Sequence, residues 1–527
     1  MITYRNVQKR FKGGKSMKVK NGLWVLFLVV SFFFTSSYQA SAQQPRIGGV
    51  LKVAMAQDIT SLGNFLKLRN DETNFVLPWM ETLLRMDNQG IAAPNLVKSW
   101  KVDQANNNVT LYLQQGVKFH DGTEMDAEAV RFCMVDFRKA MGVAPIIALS
   151  SVDIIDKYTI KCNLSRWANT FLYSLTMKDG MIFSPTAYKK YGQDWLLNNP
   201  VGTGPFKYVS GEKGVSYKFA RFDGCWRGKA NLDGIEYVII TDPVTRLASF
   251  MRGEEHVIVN PDFKDISPLE KSGKYRVFSA PGVMYGLVND GSNPDSPFAN
   301  IKVRQAVGYA IDTKSIAEAL GYGYWKLCPR NQPTQPGRWA DNPSVTGFQY
   351  DPAKAKQLLS EAGYPNGLQT NFYSINQPRY IVDFVTAMQG MLAKVGINSK
   401  IELLDSQRSN ALMTSTYWKN GLVILDMTLR NEINVLKTVY APEGVLVKVG
   451  TRMPEYQKKL DEVDAAPNEA TTQKLMWELN KLENDKFAQI PWQFMVPNIA
   501  VKSLKCHDTF MAGNAFFWDA TNAWLEP

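Results

Sequence analysis

The sequence has few histidines and no closely spaced cysteines, and these shortages exclude several kinds of site. Its three histidines, His120, His256 and His507, lie far apart in 527 residues, and no H-E-x-x-H motif, CxxC pair or carboxylate-rich calcium loop occurs. We therefore predict no protein-bound metal. A G-x-S-x-G nucleophile elbow and a phosphate-binding glycine loop are also missing, so we expect no catalytic residues and no bound cofactor.

Cysteine is scarce as well. The five cysteines are Cys133, Cys162, Cys225, Cys328 and Cys506. An odd number scattered this widely is not a disulfide framework, although an exported protein can form disulfides, so the pattern specifies no pairing. We expect at least one thiol to be free or buried. Cys133 falls on the apolar face of a predicted helix, and we predict that it lies in the core.

A strong charge of one sign is absent once the N-terminus is set aside. The formal net charge is +11, from 60 Lys and Arg against 49 Asp and Glu. Residues 1–42 contain seven basic residues and no acidic ones, which leaves 53 basic against 49 acidic residues in 43–527. A balance this even creates no field that attracts a phosphate backbone, so we expect no nucleic-acid partner.

The N-terminus has the composition of a secretory leader. A lysine-rich stretch precedes the apolar residues 23–30 and 32–34, and Ala40-Ser41-Ala42 follows. Because the apolar run is too short for a permanent span and is followed by an A-x-A site, we predict a cleaved signal peptide over 1–42. An uncleaved membrane anchor is the alternative, and Met17 is an alternative start. No cysteine lies near the cleavage point, so we expect a soluble, exported protein without a lipid anchor.

Apolar spacing along the mature chain alternates between strand and helix periods. Residues 50–55 and 109–113 have the alternation of strands, whereas 303–311 repeat apolar residues at helical spacing. Asp351 and Gly363 frame a further helix as its cap and its stop, and another helix over 384–395 precedes a strand over 397–404. No repeat or low-complexity segment interrupts this order. The sequence therefore predicts an α/β protein with several lobes.

Six sequence runs carry a family resemblance. They are P-N-L-V-K-S-W (94–100), G-V-K-F-H-D-G (116–122), P-V-G-T-G-P-F (200–206), W-R-G-K-A-N-L-D (226–233), V-R-Q-A-V with A-I-D (303–312), and Y-D-P through L-L-S-E-A-G-Y (350–364). In this order and at these separations they resemble the family 5 extracellular solute-binding proteins of ABC transporters, the peptide- and nickel-binding group. We interpret His120 as a hydrogen-bonded turn residue rather than a metal ligand, and Gly202 and Gly204 as parts of a tight crossover.

The resemblance implies a type II periplasmic-binding-protein fold enlarged by an extra lobe, with a cleft that closes by a hinge. We predict a discontinuous lobe I from 43–78, 200–280 and 490–527, an extra lobe II over 79–199, and a lobe III over 281–489. Such a protein captures a solute between two lobes and delivers it to an inner-membrane ABC permease. It performs no covalent step, and we expect it to be a monomer.

The ligand class follows from a departure within the resemblance. In peptide-binding relatives, a Trp- and Asp-rich segment of lobe III pairs an aspartate with the peptide's ammonium group. The comparable stretch here is residues 421–432, which lacks that tryptophan and a D-P-D-like run. An unpaired buried ammonium is costly, so we expect a non-peptide or carboxylate-bearing solute.

We predict six ligand-binding residues. Arg430 is a candidate anion clamp, and Asp426 could instead receive an ammonium group if the register shifts. The remaining candidates are Trp418 as an aromatic wall, Tyr285 as a polar contact, and Arg379 and Arg408 as further cations. The alternatives stay open at this point: Arg430 as a solvated or interlobe salt-bridge residue, Trp418 as a core residue, and Tyr285 as a residue without ligand contact.

Four functions remain open. The leading one is a receptor for a non-peptide organic solute, and a dipeptide or oligopeptide receptor stands within the same transporter class. An exported hydrolase such as an amidase or peptidase is the third, although the sequence displays no nucleophile and base for it. A metal-chelate receptor also fits the resemblance, since family members can hold a metal through its chelator.

Overall fold

The computed structural model describes residues 45–527 apart from 60, 64–65, 67–70, 88–90, 144, 377, 428–431, 441–446, 449, 451–452, 488–491, 508–509 and 512–517. Residues 45–527 cluster as one compact unit. The strands are β1 (Val50–Met55), β2 (Glu81–Thr82), β3 (Leu84–Met86), β4 (Ala92–Pro94), β5 (Val97–Asp103), β6 (Asn108–Leu113), β7 (Leu149–Asp156), β8 (Thr159–Leu164), β9 (Met181–Ile182), β10 (Phe206–Glu212), β11 (Ser216–Arg221), β12 (Gly234–Ile239), β13 (Val257–Val259), β14 (Tyr275–Asn289), β15 (Lys326–Leu327), β16 (Leu368–Ile375), β17 (Ile397–Leu404), β18 (Gly421–Met427), β19 (Trp492–Ser503), β20 (Cys506–His507), β21 (Phe510–Met511), β22 (Trp518–Asp519) and β23 (Trp524–Leu525).

Helices alternate with these strands, as the sequence predicts. They are α1 (Ala127–Arg131), α2 (Phe137–Ala140), α3 (Thr170–Ser174), α4 (Pro185–Tyr191), α5 (Gln193–Asn198), α6 (Pro243–Arg252), α7 (Phe263–Lys271), α8 (Ile301–Ala310), α9 (Thr313–Gly321), α10 (Pro352–Glu361), α11 (Arg379–Lys394), α12 (Ser406–Thr414), α13 (Glu432–Tyr440), α14 (Pro454–Asp464) and α15 (Glu469–Leu482). Short 3-10 turns cover Asp71–Phe75, Lys178–Gly180 and Pro297–Ala299, and π turns cover Phe132–Asp136 and Glu483–Phe487. None of the helices among the described residues is long and apolar enough to cross a membrane.

Helix-start signals in the sequence act as expected. The carboxylate of Asp351 accepts a hydrogen bond from the Lys354 amide at the start of α10, and Pro352 takes the first helical position. Asp126 accepts from the Ala129 amide in the same way at α1. The predicted core position of Cys133 is confirmed, and all five cysteines are free.

One large sheet organises the chain. In the described residues its order is β10-β11-β12-β1-β13-β19-β14-β18-β16-β17, with β15 paired to β19. Strands β12, β1 and β13 run parallel to one another, and β18, β16 and β17 form a second parallel group. The antiparallel pair β14 and β19 joins the two groups. A separate four-stranded antiparallel sheet, β5-β6-β8-β7, lies within 79–199.

Three hydrophobic cores hold these layers. The first core joins residues of β1 and β12 to the 79–199 segment, the second core surrounds β14, α8 and α11, and the third core packs around α13, α14 and α15. Representative members are Leu51, Phe119 and Tyr237 in the first core, Tyr285, Phe384 and Phe494 in the second, and Trp418, Leu436 and Leu460 in the third. The boundaries of the three predicted lobes stay a prediction.

Candidate ligand-binding site

The carboxyl ends of both parallel strand groups lie beside the same part of the β14–β19 pair. Strand β14 pairs with β19 along most of its length, and their register shifts between Ala280 and Val283, a point that we call the strand crossing. On one side, Val259 at the end of β13 pairs with Ala500, close to this crossing. On the other side, Met427 at the end of β18 pairs with Met284, also close to the crossing.

The loops that follow these strands therefore converge from two sides. Among the residues that the structure describes, they comprise 56–59, 61–62, 240–242 and 260–262 after one group, and 376, 378 and 405 after the other. In open α/β sheets, ligands bind outside the carboxyl ends of the strands. The candidate site is this set of loops, which we call the crossing site.

Several predicted ligand residues lie at the crossing site. Arg379 begins α11 just after β16, and Arg408 lies in the first turn of α12 just after β17. Asp426 is the penultimate residue of β18 and is the register partner of Tyr285 on β14. The topology therefore brings these four positions to one edge of the sheet. Arg430 and the side chain of Asp426 lie outside the described residues.

Tyr285 ends an aromatic group beneath this edge. Its side chain is 4% exposed, and its hydroxyl lies 3.1 Å from the hydroxyl of Tyr380, the neighbour of Arg379. The Tyr285 ring also contacts Phe384 and Phe494, with ring centroids 5.4 and 6.3 Å away. The polar end of an otherwise apolar group is thus held next to the loop after β16.

The two described arginines already have acidic neighbours. Arg379 donates to Asp383 one helical turn away at 2.8 Å, and its side chain is 78% exposed. Arg408 forms an ion pair with Glu402 and is also exposed. Exposed pairs of this kind contribute little to stability, so either guanidinium can be redirected to a ligand anion at small cost.

Trp418 lies away from the crossing site. It precedes the amino end of β18, at the opposite edge of the sheet from Asp426. Its side chain is 0% exposed within the third core, and its indole N–H donates to the carbonyl oxygen of Leu412 at 2.8 Å. This is the core position that the sequence left as an alternative, and its role as a ligand wall stays a prediction.

The sequence analysis missed an asparagine pair at the crossing. Asn260 follows β13 with a φ of 47°, and its side-chain oxygen accepts a hydrogen bond from the Ile499 amide at 2.9 Å. Its Nδ2 atom donates to the side-chain oxygen of Asn498 at 3.3 Å. Among the described residues, no partner meets the buried Nδ2 atom of Asn498. A donor without a partner is therefore placed where the two strand groups converge.

Arg246 stiffens the loop after β12. This residue of α6 is 4% exposed, and its Nη1 atom donates to the carbonyl oxygens of Ile240 at 2.8 Å and Thr241 at 3.3 Å. Burial lowers the pKa of Arg246, while Asp262 and Asp242 oppose that shift. A buried cation thus underlies this side of the crossing site.

His120 has a structural position outside the crossing site. Its Nδ1 atom accepts from the Gly202 amide at 3.4 Å, so Nε2 carries the proton and donates to the carbonyl oxygen of Gly204 at 2.9 Å. Burial lowers the pKa of His120 to about 4, which keeps the imidazole neutral. Both ring nitrogens are engaged, as expected of a hydrogen-bonded turn residue. Within the described part of the chain, no group of three or more His, Cys, Asp or Glu residues could hold a metal ion.

The fold is that of the type II periplasmic binding proteins. DppA from Helicobacter pylori, solved with the peptide STSA, matches with a TM-score of 0.79 at 23% identity, over 92% of this chain and 99% of DppA. AgaA from A. tumefaciens R10, solved with agropinic acid, matches with a TM-score of 0.78 at 21% identity, over 91% and 99%. The predicted fold class is confirmed.

The chain belongs to the bacterial extracellular solute-binding proteins of family 5. The model of the middle region of that family matches residues 92–426, which confirms the resemblance found in the sequence. Haem-binding protein A of Haemophilus influenzae is 31% identical over 307 residues, 53% of this chain and 55% of that protein. Glutathione-binding protein GsiB of Salmonella paratyphi A is 30% identical over 318 residues, 59% and 61%. The chain thus spans little more than half the length of the curated relatives it matches.

Proposed function

We propose that this protein is the solute-binding component of an ABC importer. It captures a small organic solute at the crossing site and presents the closed form to an inner-membrane permease. The convergence of two parallel strand groups on one strand crossing carries this proposal, because such a site has a binding surface on each side of the β14–β19 pair. Its family of extracellular solute-binding proteins agrees with that role.

The crossing itself has the features of a hinge. The two strands approach so closely at Gly282 that a Cβ atom there would lie 1.8 Å from the Val496 carbonyl oxygen. Strand β14 passes here from predicted lobe I to predicted lobe III, and its pairing with β19 shifts register, so small backbone rotations can swing one lobe against the other. A ligand shifts the balance between the open and closed forms by its difference in affinity for them, and each tenfold shift requires about 1.4 kcal/mol. Contacts from both lobes to one solute supply such a difference.

The solute we propose bears a carboxylate. Arginines follow the three neighbouring strands β16, β17 and β18 as Arg379, Arg408 and Arg430. A planar guanidinium binds a carboxylate through two parallel hydrogen bonds, and a hydroxyl such as that of Tyr285 adds direction. AgaA, with its agropinic acid ligand, shows that the fold accommodates a non-peptide acid.

A peptide receptor is the second candidate. It is favoured by the register of Asp426 beside Tyr285, which places an acid at the carboxyl end of β18 where an ammonium group could pair with it. DppA has a peptide ligand on the same fold. A carboxylate receptor requires a negative charge on the solute near β18, whereas a peptide receptor requires a positive charge there.

The location we propose is the periplasm. Residues 1–42 act as a cleaved leader, and the mature protein functions as a monomer. No covalent step is part of this function, so solute incubated with the protein is recovered unchanged.

A thermal-shift screen of the protein from residue 43 onward tests the proposal. The compounds are opines and other organic carboxylates, dipeptides and tetrapeptides, glutathione, haem, sugars and metal chelates. A ligand at about 100 times its Kd contributes about 2.7 kcal/mol, which raises the midpoint of a protein this size by several degrees. We expect carboxylates to raise the midpoint and uncharged sugars to leave it unchanged.

Two variants test whether the bound solute presents a carboxylate or an ammonium group. Arg430→Ala should weaken binding of an active carboxylate at least tenfold, whereas Arg131→Ala, whose partner Asp136 lies in the same predicted lobe, should not. A peptide-only response that is lost in Asp426→Asn would select the peptide receptor instead. If no solute in any class shifts the midpoint, or if a compound is chemically converted, the solute-receptor function is rejected.

A further inference from the structure

A buried acid joins two distant parts of the chain. Asp464, the last residue of α14, is 0% exposed. Its carboxylate accepts hydrogen bonds from Lys437 at 2.5 Å and from Arg166 at 2.9 Å. The hydroxyl and the amide of Thr170 also donate to it, at 3.1 and 3.3 Å. Arg166 and Thr170 belong to the predicted lobe II, whereas Lys437 and Asp464 belong to the predicted lobe III.

Asn169 extends the same junction through the backbone. Its amide donates to the carbonyl oxygen of Asp464 at 2.9 Å, and its side chain donates to the carbonyl oxygen of Ala466 at 3.0 Å. Asn169 also forms no side-chain cap for its own helix α3. Arg166, Asn169 and Thr170 therefore direct polar groups to lobe III. We call this set of contacts the Asp464 junction.

The junction is polar, in contrast to the packing on either side of it. The first core runs through predicted lobes I and II and contains no residue from 281–489 among those described. The third core likewise contains none from 79–199 within the described ranges. Lobes I and II thus share a continuous apolar core, whereas lobes II and III meet here through hydrogen bonds. Such bonds exchange readily with bonds to water, which an apolar core cannot do.

The charges remain balanced if the junction separates. Lys437 lies on α13 of the same lobe as Asp464, and its side chain is 7% exposed, so this ion pair stays intact when lobe II moves away. No lone charge is left buried. Arg166 is already 46% exposed and becomes hydrated at small cost. The charged groups on both sides of the junction are therefore paired or hydrated whether the junction is formed or broken.

We propose that the Asp464 junction is a latch between lobes II and III that forms when the lobes close and breaks when they open. Residues 166–170 are the moving half of the latch, and Asp464, held by Lys437, is the fixed half. The latch rests on the hinge closure of the proposed function, but it is independent of which solute is bound. It adds to the closed form a stabilisation that the solute does not have to supply.

Hydrogen exchange of the exported protein without added solute tests the latch. The variant is Arg166→Gln, which removes one interlobe donor and leaves the Asp464–Lys437 pair intact. Arg131→Gln is the matched control, because its 34% exposed side chain pairs with Asp136 inside lobe II. The readouts are the exchange rates of the amides in 166–170 and of the core strand β8, followed by mass spectrometry.

In the wild type, the amides of Asn169 and Thr170 should exchange at least tenfold faster than those of β8, because the latch opens without unfolding. Arg166→Gln should accelerate them by about a further tenfold, as expected for the loss of one charge-assisted hydrogen bond. The rates of β8 should not change, and the control should match the wild type. Small-angle scattering should show a larger radius of gyration for Arg166→Gln than for Arg131→Gln, since an open latch means open lobes.

Three results would overturn the latch. Exchange at 166–170 as slow as in β8 would show a permanent junction, and equal exchange in wild type and Arg166→Gln would show that the contact has no holding role. Faster exchange without a change in radius would show local fraying rather than lobe opening. None of these outcomes depends on a solute, so failure of the solute screen and failure of the latch are distinguished.

Discussion

Lowering the pH should destabilise this protein through His120. The ordinary histidine pKa is 6.5, and burial lowers the pKa of His120 to about 4 in the folded protein. Between pH 6.5 and pH 4, His120 is protonated in the unfolded chain but stays neutral in the folded protein. Stability is therefore fully retained above pH 6.5 and is lost as the pH falls towards 4.

The magnitude follows from the size of the shift. Each pKa unit corresponds to 1.36 kcal/mol, so the shift to about 4 implies a loss of about 3 kcal/mol by pH 4. The main structural reason is burial of the ring, and the Nδ1 atom of that buried ring accepts from the Gly202 amide. A protonated ring has no lone pair for that bond, and its charge has no acidic partner in direct contact with either ring nitrogen.

The assay is urea unfolding of the wild type and of His120→Gln at several pH values from 7 to 4. His120→Gln should be less stable at pH 7, because it disturbs the crossover at Gly202 and Gly204. Its loss of stability on acidification should, however, be smaller than that of the wild type by about 3 kcal/mol at pH 4. Other titrating groups cancel in this difference. Parallel pH curves for the two proteins would refute the buried, neutral imidazole.

Three further predictions concern packing, charge and binding. Gly202→Ala should lower the free energy of unfolding by about 1–3 kcal/mol, because its Cβ would lie 2.1 Å from a backbone carbonyl oxygen. Gly390→Ala is the control: a Cβ there has no atom within 4 Å, so thermal melting should show an unchanged or higher midpoint. Asp464→Asn should cost about 3 kcal/mol in urea unfolding, since Lys437 stays buried without its main counter-ion; an unchanged midpoint would contradict that pairing. Asn498→Ala should weaken binding of the solute found in the screen about tenfold by calorimetry while melting as the wild type does, and equal affinity would remove Asn498 from the site.

Local signals in the sequence predicted much of the secondary structure. Asp351 followed by Pro352 specifies the start of α10 because a carboxylate cap and a fixed proline φ act within one turn. The strand over 397–404 was predicted with the bounds that β17 has, since its neighbours along the chain define it. The position of β1 between β12 and β13 depends on contacts about 200 residues apart, and periodicity contains no information about them. The six sequence runs predicted the fold class through resemblance.

The candidate site was predictable only in part, for the same reason. Arg408 follows the strand that the sequence predicts over 397–404, so its place at a carboxyl edge could be anticipated, whereas β16, which precedes Arg379, was not predicted. The buried position of Trp418 could not, because an indole has the same spacing signal in a core as in a ligand wall. Asn498 was missed because its side chain meets Asn260, 238 residues earlier. A donor without a partner becomes visible only when both strands are in place.

Two of the contacts between the predicted lobes differ in chemistry, and this difference indicates how closure proceeds. Near the strand crossing, Phe263 of lobe I packs edge-on against Trp325 and Tyr380 of lobe III, with ring centroids 5.7 and 5.6 Å away. Separating such rings exposes apolar surface, which costs about 25 cal/mol per Å². Separating the Asp464 junction instead replaces hydrogen bonds between the lobes with hydrogen bonds to water. We infer that the lobes pivot on the aromatic side and part on the polar side. Truncating Phe263 should then loosen the pivot and speed hydrogen exchange in β15, while Arg166→Gln should leave β15 unaffected.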